Sequence, residues 1–514
     1  MSKKLTFNLN FDEDLGAYFQ KKYSEYSDYR ILSKSLDARG APRGKKPIFQ
    51  YVLEVIKVGE QFESTKEDFT APENFSSIPI IVGAGPAGLF AALRLSEYGL
   101  KSIVIERGDI AHKRMLHISK YWKHGILNTE SNVCFGEGGA GLFSDGKLIT
   151  RVKSPYIKYV MQKFVDFGAP EETAYISNPH LGSNKIRQII TKITDHLKNL
   201  NHEFRYNVGV KELLFDGEKV VGVLLTDGEK LYSDNVILAT GHSASDMYHH
   251  LKDHEVAMNQ KDFAVGVRIE HPRQTIDQLQ HGTYYESEFL GSARYRLSYH
   301  NQKTDKGTYS FCMCPGGYVL SSGTDKDGIV VNGMSNYARN SRWSNSAIVV
   351  TVNSGVDFDT KDILAGLDFQ HSIEMKAYEI SVQESDGKSL PAMTVGEFLN
   401  GKLNNDPLPK TSCPSGLFKT DLREIFPDFI ITHLKSGLLE FDKMITGFSS
   451  KDAVLIAPET RTSAPVTILR DKKTLESVSH KGLYPAGEGA GYAGGITSAA
   501  VDGIRIAESI IAKN

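Results

Sequence analysis

The stretch IPIIVGAGPAGLFAALRLSEYGLKSIVIERG, residues 78–108, constrains the fold of this chain more than any other part of the sequence. Its first apolar residues suit a strand that is buried on both faces of a sheet. Gly83 permits a tight turn, Gly85 lets a phosphate approach the backbone, and Gly88 allows a helix to pack closely on the strand. The stretch therefore predicts a strand, a glycine-rich turn and a helix in direct succession.

The second half of this stretch predicts another strand, which ends on an acid. The helix begins at Pro86, whose missing N–H would have no partner in the first turn, and it stops at Gly99. Ile103–Ile105 then form the strand that delivers Glu106 to the edge of the sheet. The free N–H groups of the helix favour a pyrophosphate, and the Glu106 carboxylate suits the hydroxyls of an adenosine ribose. We favour a dinucleotide site over a purely structural glycine turn.

Length, charge and cysteine content narrow the class of protein. A chain of 514 residues suggests about two to four domains. Its net charge of −2 gives no overall attraction to nucleic acid or to an anionic membrane. Four cysteines cannot form a disulfide framework and fit a reducing compartment, and the start MSKKLTFNLNFDEDLG lacks the apolar core of a signal peptide. We therefore expect a cytoplasmic protein without a membrane partner.

A small α+β domain is predicted over residues 1–75. Apolar residues alternate near residues 5–11 and 49–55, with a helical stretch, LGAYFQKKYSEY, between the two runs. The polar residues 59–77 are predicted to be a linker. A basic loop carries Arg39, Arg43, Lys45 and Lys46. This loop is either solvated or a contact for an anionic partner, so nucleic acid could bind through residues 30–46.

A second glycine-rich turn lies near the C-terminus. A short strand ends at Gly487-Glu488, and Gly494-Gly495 lead into a helix that begins at Ile496. An amphipathic helix over residues 184–200, a three-stranded meander and a buried strand ending at Thr240-Gly241 precede it. Glycine-rich turns at both ends of the chain imply one cofactor site that both ends build. Residues 262–450 show weaker helix and strand patterns and are assigned by elimination to a substrate-binding domain.

The whole pattern resembles the FAD-binding flavoprotein superfamily. Within it, the chain is similar to a group of bacterial FAD-dependent dehydrogenases whose recurring motifs stand here as GGAGLFSDGKL (138–148), NPHLGSNK (178–185) and ETRTSAP (459–465). The resemblance implies an α/β fold: a Rossmann-like FAD-binding domain, an inserted mixed-sheet substrate domain and the small N-terminal α+β domain. The expected boundaries are 1–75, 76–250 and 451–514 for the N-terminal and the two FAD-binding parts, and 251–450 for the insertion.

The resemblance also implies which residues hold FAD. They are Gly83, Gly85, Pro86, Ala87 and Gly88 at the pyrophosphate, Glu106 and Arg107 at the ribose, the Val210 backbone at the adenine, Thr240 and Gly241 on the central strand, and Gly487, Glu488, Gly494, Gly495 and Ile496 at the flavin. Gly139 and Ala140 of the GGAG motif could bring backbone N–H groups to the same cofactor. Neither a second GxGxxG nor a paired-cysteine motif follows the first fingerprint, so the expected topology is that of hydroxylases and amine oxidases.

Three residues are candidates for chemistry, each with a structural alternative. Lys147 could place a cation near the flavin or lie on the surface of a tight loop. His180 could be a general acid or base, or a packed histidine. Arg461 could grip a carboxylate or phosphate in a bidentate manner, or form a structural salt bridge. His242 follows the central strand, and Cys312 and Cys314 are interpreted as buried thiols, with a thiol beside the flavin as the alternative.

The predicted function is that of an FAD-dependent oxidoreductase. It would pass a hydride through flavin N5 to or from a small anionic or unsaturated molecule, with NAD(P)H or a protein as a candidate electron donor and with no metal. One alternative is a flavoprotein that acts on RNA through its N-terminal basic domain. A flavin-bound sensor without turnover is another.

Overall fold

The computed structural model describes residues 3–62, 69–73, 75 and 77–513. The predicted linker, 59–77, therefore lies partly outside the described residues. The helices are α1 (Leu15–Lys22), α2 (Pro86–Glu97), α3 (Ala111–His124), α4 (Tyr156–Asp166), α5 (Gly182–Asn199), α6 (Ser245–Asp253), α7 (Arg273–His281), α8 (Ala365–Glu384), α9 (Val395–Asn400), α10 (Asp428–Met444) and α11 (Ile496–Lys513).

The strands, in chain order, are β1 (Lys3–Asn10), β2 (Asp28–Asp37), β3 (Ile48–Ile56), β4 (Ile80–Val82), β5 (Ile103–Glu106), β6 (Glu203–Tyr206), β7 (Val210–Asp216), β8 (Lys219–Leu225), β9 (Lys230–Tyr232), β10 (Val236–Leu238), β11 (Met258–Gln260), β12 (Phe263–Pro272), β13 (Ser298–Asn301), β14 (Lys306–Cys314), β15 (Tyr318–Ser321), β16 (Val331–Met334), β17 (Trp343–Val352), β18 (Leu390–Thr394), β19 (Leu417–Lys419), β20 (Val454–Glu459), β21 (Val466–Ile468) and β22 (Leu483–Pro485).

The N-terminal residues form an antiparallel sheet with the order β1-β3-β2. The alternation seen in the sequence places Phe7 and Leu53 on the buried face, where Phe19 of α1 covers them. The sequence did not predict β2, because charged and polar residues interrupt its apolar pattern. Part of the segment proposed for nucleic acid, residues 30–37, is therefore a strand of this sheet.

A parallel sheet with the order β22-β10-β4-β5-β6 forms the centre of the molecule. Its middle strand β4 is completely covered, as its apolar composition predicts. The helices α2 and α11, from opposite ends of the chain, pack against each other beside this sheet, and α5 buries its predicted isoleucine stripe there. Strands β7, β8 and β9 form the predicted meander. This arrangement confirms the predicted Rossmann-like α/β fold.

A mixed seven-stranded sheet forms the second unit, with the order β13-β14-β17-β12-β20-β18-β19. The helices α8 and α10 pack on it. Strand β20 lies between β12 and β18, so this sheet extends past the predicted domain boundary at residue 450. The sequence could not show this, because antiparallel pairing between β12 and β20 joins residues far apart in the chain.

Among the described residues, no helix is long and apolar enough to cross a membrane.

Candidate cofactor site

A cavity of about 370 Å³ lies at the carboxyl ends of the parallel strands, where ligands bind in open α/β sheets. Both glycine-rich turns open into it. The predicted residues in its wall are Gly83, Gly85, Pro86, Ala87, Glu106, Arg107, Gly139, Ala140, Lys147, Val210, Thr240, Gly241, Arg461, Gly487, Glu488, Gly494, Gly495 and Ile496. The structure thus brings together residues that the sequence places almost at its two ends.

The first glycine-rich turn is shaped by close backbone contacts. Gly83 has a φ of 108°, and a Cβ atom there would overlap the carbonyl oxygen of Ala239. A Cβ at Gly88 would overlap the Gly83 carbonyl oxygen, so Gly88 lets α2 pack closely on the turn; although it was expected at the pyrophosphate, it lies outside the cavity wall. Gly85 is the N-cap residue of α2 and faces the cavity. The unpaired N–H groups of the first turn of α2 are thereby presented to a ligand.

Glu106, which lines the cavity, connects three backbone segments next to it. Its carboxylate accepts hydrogen bonds from the backbone N–H groups of Ala84, Gly108 and Gly136, at 2.9, 3.0 and 2.9 Å. A carboxylate has about four lone-pair sites, so one is left for a ribose hydroxyl. The acid predicted for the ribose is therefore also the residue that fixes the turn.

The GEGG loop, residues 136–139, lies beside this turn. A buried arginine that was not among the predicted site residues holds this loop in place. Arg114 is fully buried and donates to the carbonyl oxygens of Asn132, Val133, Glu137 and Gly139 at 2.6–2.9 Å. These bonds fix the loop that carries Gly139 and Ala140. An arginine within a helix gives no sequence signal for such a role.

Arg107 lies at the edge of the same end of the cavity. Its guanidinium contacts both carboxylate oxygens of Asp246, at 2.6 and 3.2 Å, and stacks 4.7 Å from the Phe135 ring centre. Asp246 was missed by the sequence analysis, since an acid in the first turn of a helix is common. The pair fixes the wall beside Val210, the residue predicted to meet the adenine.

The second glycine-rich turn positions the N-terminus of α11. A Cβ atom at Gly241, Gly494 or Gly495 would meet nothing within 4 Å, so these glycines face open space. Thr497 anchors the turn by donating to the Leu148 carbonyl oxygen at 2.8 Å. The N–H groups of the first turn of α11 thereby face a space that is large enough for a ring system.

Glu488 and His242 lie side by side in the wall, with Oε1 and Nδ1 3.6 Å apart. Burial raises the pKa of Glu488 to about 7, although Lys261 opposes the shift. Burial, with a smaller effect of Arg461, lowers the pKa of His242 to about 4. Near neutral pH the imidazole is therefore uncharged, and the acid is partly protonated.

Lys147 lies in the wall but is tied to the inserted unit. Its Nζ donates to the Met313 carbonyl oxygen and lies 3.8 Å from Asp145. Asp145 is 1% exposed and accepts hydrogen bonds from Arg339 and Ser335 of the same unit. Burial alone would raise the pKa of Asp145, but Lys147 and Arg339 outweigh it and lower the pKa. Two residues of the motif GGAGLFSDGKL thus connect the FAD-binding part to the inserted unit through hydrogen bonds and an ion pair.

His180, a candidate for acid–base chemistry, lies outside the described cavity wall. Its Nε2 donates to the Tyr337 carbonyl oxygen at 3.0 Å, and its ring stacks on that of Tyr337. Burial lowers the pKa of His180 to about 4. The geometry supports the alternative of a packed histidine, at the contact between the two units.

Arg461 lies in the wall, but its guanidinium already donates hydrogen bonds to two carboxylates. It contacts both oxygens of Glu374, at 2.7 and 3.0 Å, and also Asp325 at 3.0 Å. Burial would lower the pKa of Arg461, but the Glu374 carboxylate outweighs it. This geometry favours the salt-bridge alternative over the predicted grip on a substrate.

The residues around Arg461 include a group that the sequence did not reveal. Asp325, His371 and Glu374 hold ligand atoms within 4.8 Å of one another, close enough for a metal ion. The Arg461 guanidinium already pairs with both carboxylates and offsets one of their two charges, and so it competes with a cation. The expectation of a metal-free protein stays a prediction.

The basic loop of the N-terminal domain is partly neutralised. Arg39 contacts Asp37 at 2.6 Å, and Lys46 contacts Asp12 at 2.9 Å. This pairing reduces the charge available to a nucleic acid.

Comparison with known proteins gives two family matches. A model described as pyridine nucleotide-disulphide oxidoreductase matches residues 79–270, and one described as FAD-dependent protein, C-terminal domain-like, matches residues 262–462. An uncharacterized protein of Clostridium beijerinckii is 38% identical over 528 residues, covering 98% of each chain. The dihydrolipoyl dehydrogenase of Vibrio cholerae is 36% identical over 69 residues, 11% of this chain and 14% of that one.

Solved structures resemble the chain over most of its length. A triple mutant of the flavin-dependent brominase Bmp2 is 13% identical with a TM-score of 0.38, over 85% of this chain and 80% of that one. The open form of a flavocytochrome c3 fumarate reductase is 13% identical with a TM-score of 0.36, over 85% and 78%. These comparisons give no support to the RNA-acting alternative.

Proposed function

Because the chain belongs to the family of FAD-dependent oxidoreductases, we propose that it carries one FAD across the described cavity and passes a hydride through flavin N5 to or from a small molecule. One observation carries this proposal: the N-termini of α2 and α11 open into the same cavity. A helix N-terminus favours negative charge, and FAD carries such charge on its pyrophosphate and on its reduced ring.

The residues present fit FAD. Gly241, Gly494 and Gly495 leave a space that any side chain would fill. Glu106 keeps one acceptor site for a ribose hydroxyl, and the first turn of α2 offers N–H groups for the pyrophosphate. The bound flavin would supply the hydride chemistry itself.

The chain contributes binding, orientation and electrostatics. The N–H groups of Ile496 and Thr497 stabilise negative charge at the flavin end, because they are fixed before any charge develops. Glu488, with its pKa near 7, can hold or release a proton at its carboxylate oxygen near neutral pH. The neighbouring His242 stays uncharged there and so does not oppose a cationic partner.

The mixed sheet supplies the wall that faces a substrate. Phe311, Cys312 and Glu459 come from this sheet, and Asn332 comes from the two-stranded sheet of β15 and β16; all four line the same cavity as the glycine-rich turns. Lys147 adds a cation at this wall. Lys147 thus offers a cation beside an apolar and polar surface. Such a wall favours a small substrate that is anionic or unsaturated.

The test begins with purified protein supplied with FAD and then freed of excess cofactor. We expect about one flavin per chain and bleaching of its absorbance on anaerobic titration with NADH or NADPH, followed by reoxidation in a metabolite screen. Protein that retains no flavin would falsify the proposal. Bound flavin that no nicotinamide or metabolite reduces or reoxidises would instead favour the sensor alternative.

A further inference from the structure

Arg268 of β12 lies behind the cavity wall and is completely buried. Each of its five N–H donors has an oxygen acceptor, which is the full capacity of a guanidinium. Two donate to the Glu459 carboxylate, at 2.8 and 2.9 Å. The other three donate to the side-chain oxygens of Asn345 and Asn332 and to the Cys312 carbonyl oxygen, at 2.7, 3.3 and 3.2 Å. One buried cation therefore fixes groups from β14, β16, β17 and β20.

The side chains of this cluster differ in their position relative to the cavity. Asn332 and Glu459 line it, whereas Asn345 is completely buried and lies outside its wall. A glycine allows the close packing, because a Cβ atom at Gly333 would overlap both Arg268 and Asn345. The polar groups of this wall are thus held in place before any ligand binds.

The orientation of the Asn332 amide follows from its partners. Its Oδ1 accepts hydrogen bonds from Arg268 and from the Gly333 backbone N–H, at 3.3 and 2.7 Å. Only the oxygen of an amide can accept from two N–H donors, so the NH2 group is at the other end. Within the described ranges no group accepts from this NH2 group, and its nitrogen, unlike that of Asn345, is not sealed inside the protein. Asn332 therefore keeps a donor for a ligand in the cavity.

Glu459 supplies an acceptor beside this donor. Nη2 of Arg268 donates to both Asn332 Oδ1 and Glu459 Oε1, so the two side chains are neighbours. Burial raises the pKa of Glu459, and the Arg268 guanidinium opposes this rise. Each carboxylate oxygen has about two lone-pair sites, of which Arg268 occupies one. No second donor to either oxygen is found in the part of the chain that the structure describes, so each keeps room for one.

A donor beside an acceptor fits a ligand that carries an acceptor beside a donor. A carbonyl oxygen next to an N–H, as in a lactam or an imide, has this pattern. A carboxylate offers acceptors only and an ammonium group offers donors only, so neither fits both partners. The required edge occurs in N-heterocyclic substrates and also in the pyrimidine part of the flavin ring.

We propose that Asn332 and Glu459 together bind an amide-type edge, a carbonyl oxygen beside an N–H, of a ring system in the cavity. Asn332 donates to the carbonyl oxygen, and Glu459 accepts from the N–H. This inference rests on the proposed function, because the edge belongs either to the substrate or to the flavin of bound FAD. Such a wall rejects a ligand whose ring nitrogen is methylated, since Glu459 loses its partner.

The first measurement changes the ligand and leaves the protein unchanged. Fluorescence titration with FAD and with N3-methyl FAD tests the flavin as the source of the edge. Titration of the FAD-loaded protein with quinolin-2-one and with N-methylquinolin-2-one, followed by the flavin absorbance, tests the substrate. We expect methylation to weaken binding at least about tenfold in one of the two pairs, which identifies the source.

The second measurement changes the donor. Asn332→Asp keeps the oxygen that Arg268 contacts but replaces the NH2 group by an acceptor, so it should weaken binding of the methylation-sensitive ligand at least about tenfold. Asn332→Ala removes the donor without adding a charge and should also weaken it. Asn345→Asp is the matched control, since it makes the same change beside the same arginine but outside the cavity wall, and it should alter affinity less than about twofold.

The outcomes separate the two proposals. Bound FAD together with equal affinities within both methylated pairs overturns this inference alone, and so do equal affinities of Asn332→Asp and Asn345→Asp for the methylation-sensitive ligand. Failure of the unchanged protein to bind FAD overturns both proposals. Circular dichroism shows whether each variant folds, and the titrations of the unchanged protein decide the matter even if one does not.

Discussion

Gly503 lies so close to the carbonyl oxygen of Ala87 that a Cβ atom at Gly503 would overlap this oxygen. Gly503 belongs to α11 and Ala87 to α2, so this contact joins the helices that begin at the two glycine-rich turns. Because the helices touch without an intervening side chain, both N-termini open into one cavity. The site therefore depends on a glycine that does not itself line it.

The substitution Gly503→Ala should destabilise the protein by at least about 2 kcal/mol, because backbone atoms must move to accept the new methyl group. Thermal unfolding of the cofactor-free protein measures this loss. Gly396→Ala, in a helix where a Cβ would meet nothing within 4 Å, is the control and should be neutral or stabilising by up to about 1 kcal/mol. Equal melting temperatures for the two variants would contradict the packing argument.

Gly85→Leu should weaken FAD binding at least tenfold, about 1.4 kcal/mol, while leaving the fold intact. Gly85 has a φ of −79°, which leucine adopts easily, and its added Cβ would meet only the Gly139 α-carbon, at 3.8 Å. The larger side chain extends into the cavity. Fluorescence titration with FAD measures the affinity, and Gly396→Leu serves as the control. Unchanged affinity would show that FAD does not use this turn.

Glu488→Gln should change how stability depends on pH. The pKa of Glu488 is about 7 in the folded, cofactor-free protein against an ordinary value of 4.5, so the folded state holds a proton that the unfolded chain loses. The unchanged protein thus loses stability as the pH rises from 4.5 to 7. Since the amide cannot ionise, the variant should equal the unchanged protein at pH 4 and exceed it by about 3 kcal/mol at pH 8.

Urea unfolding at several pH values measures this difference. The exposed residue Glu384 provides the matched control, Glu384→Gln, whose curve should run parallel to that of the unchanged protein. A difference for Glu488→Gln that does not grow with pH would show that burial does not control this carboxyl.

Asp145→Asn should destabilise the protein by about 3–5 kcal/mol, because it leaves the buried Arg339 guanidinium without its charged partner. The pKa of Asp145 is lowered in the folded protein, so this stability exists above the ordinary pKa of 3.8 and is lost as the pH falls below it. Urea unfolding at pH 7 is the measurement. The exposed pair of Asp362 and Lys252 gives the control, Asp362→Asn, which should cost about 1 kcal/mol or less.

Local patterns were sufficient to predict the elements around the cofactor. The β4–α2 turn, the meander after Val210, the amphipathic helix α5 and the start of α11 all follow from periodicity and from turn residues over short stretches. The inserted unit was not predictable in this way. Its sheet joins β12 to β20 and β18 to β19, and such pairings depend on residues far apart in the chain.

The sequence by itself determined that two glycine-rich turns exist, that an acid ends the second strand and that the fold is Rossmann-like, since each rests on local backbone geometry and burial. Only the tertiary structure decided the surroundings of the candidate residues. It placed His180 at the contact between the FAD-binding part and the inserted unit, and it paired Arg461 with Glu374. It also directed Cys312 towards the cavity through a β-bulge. A side chain's charge and role depend on partners that folding brings from distant segments, and no local pattern encodes them.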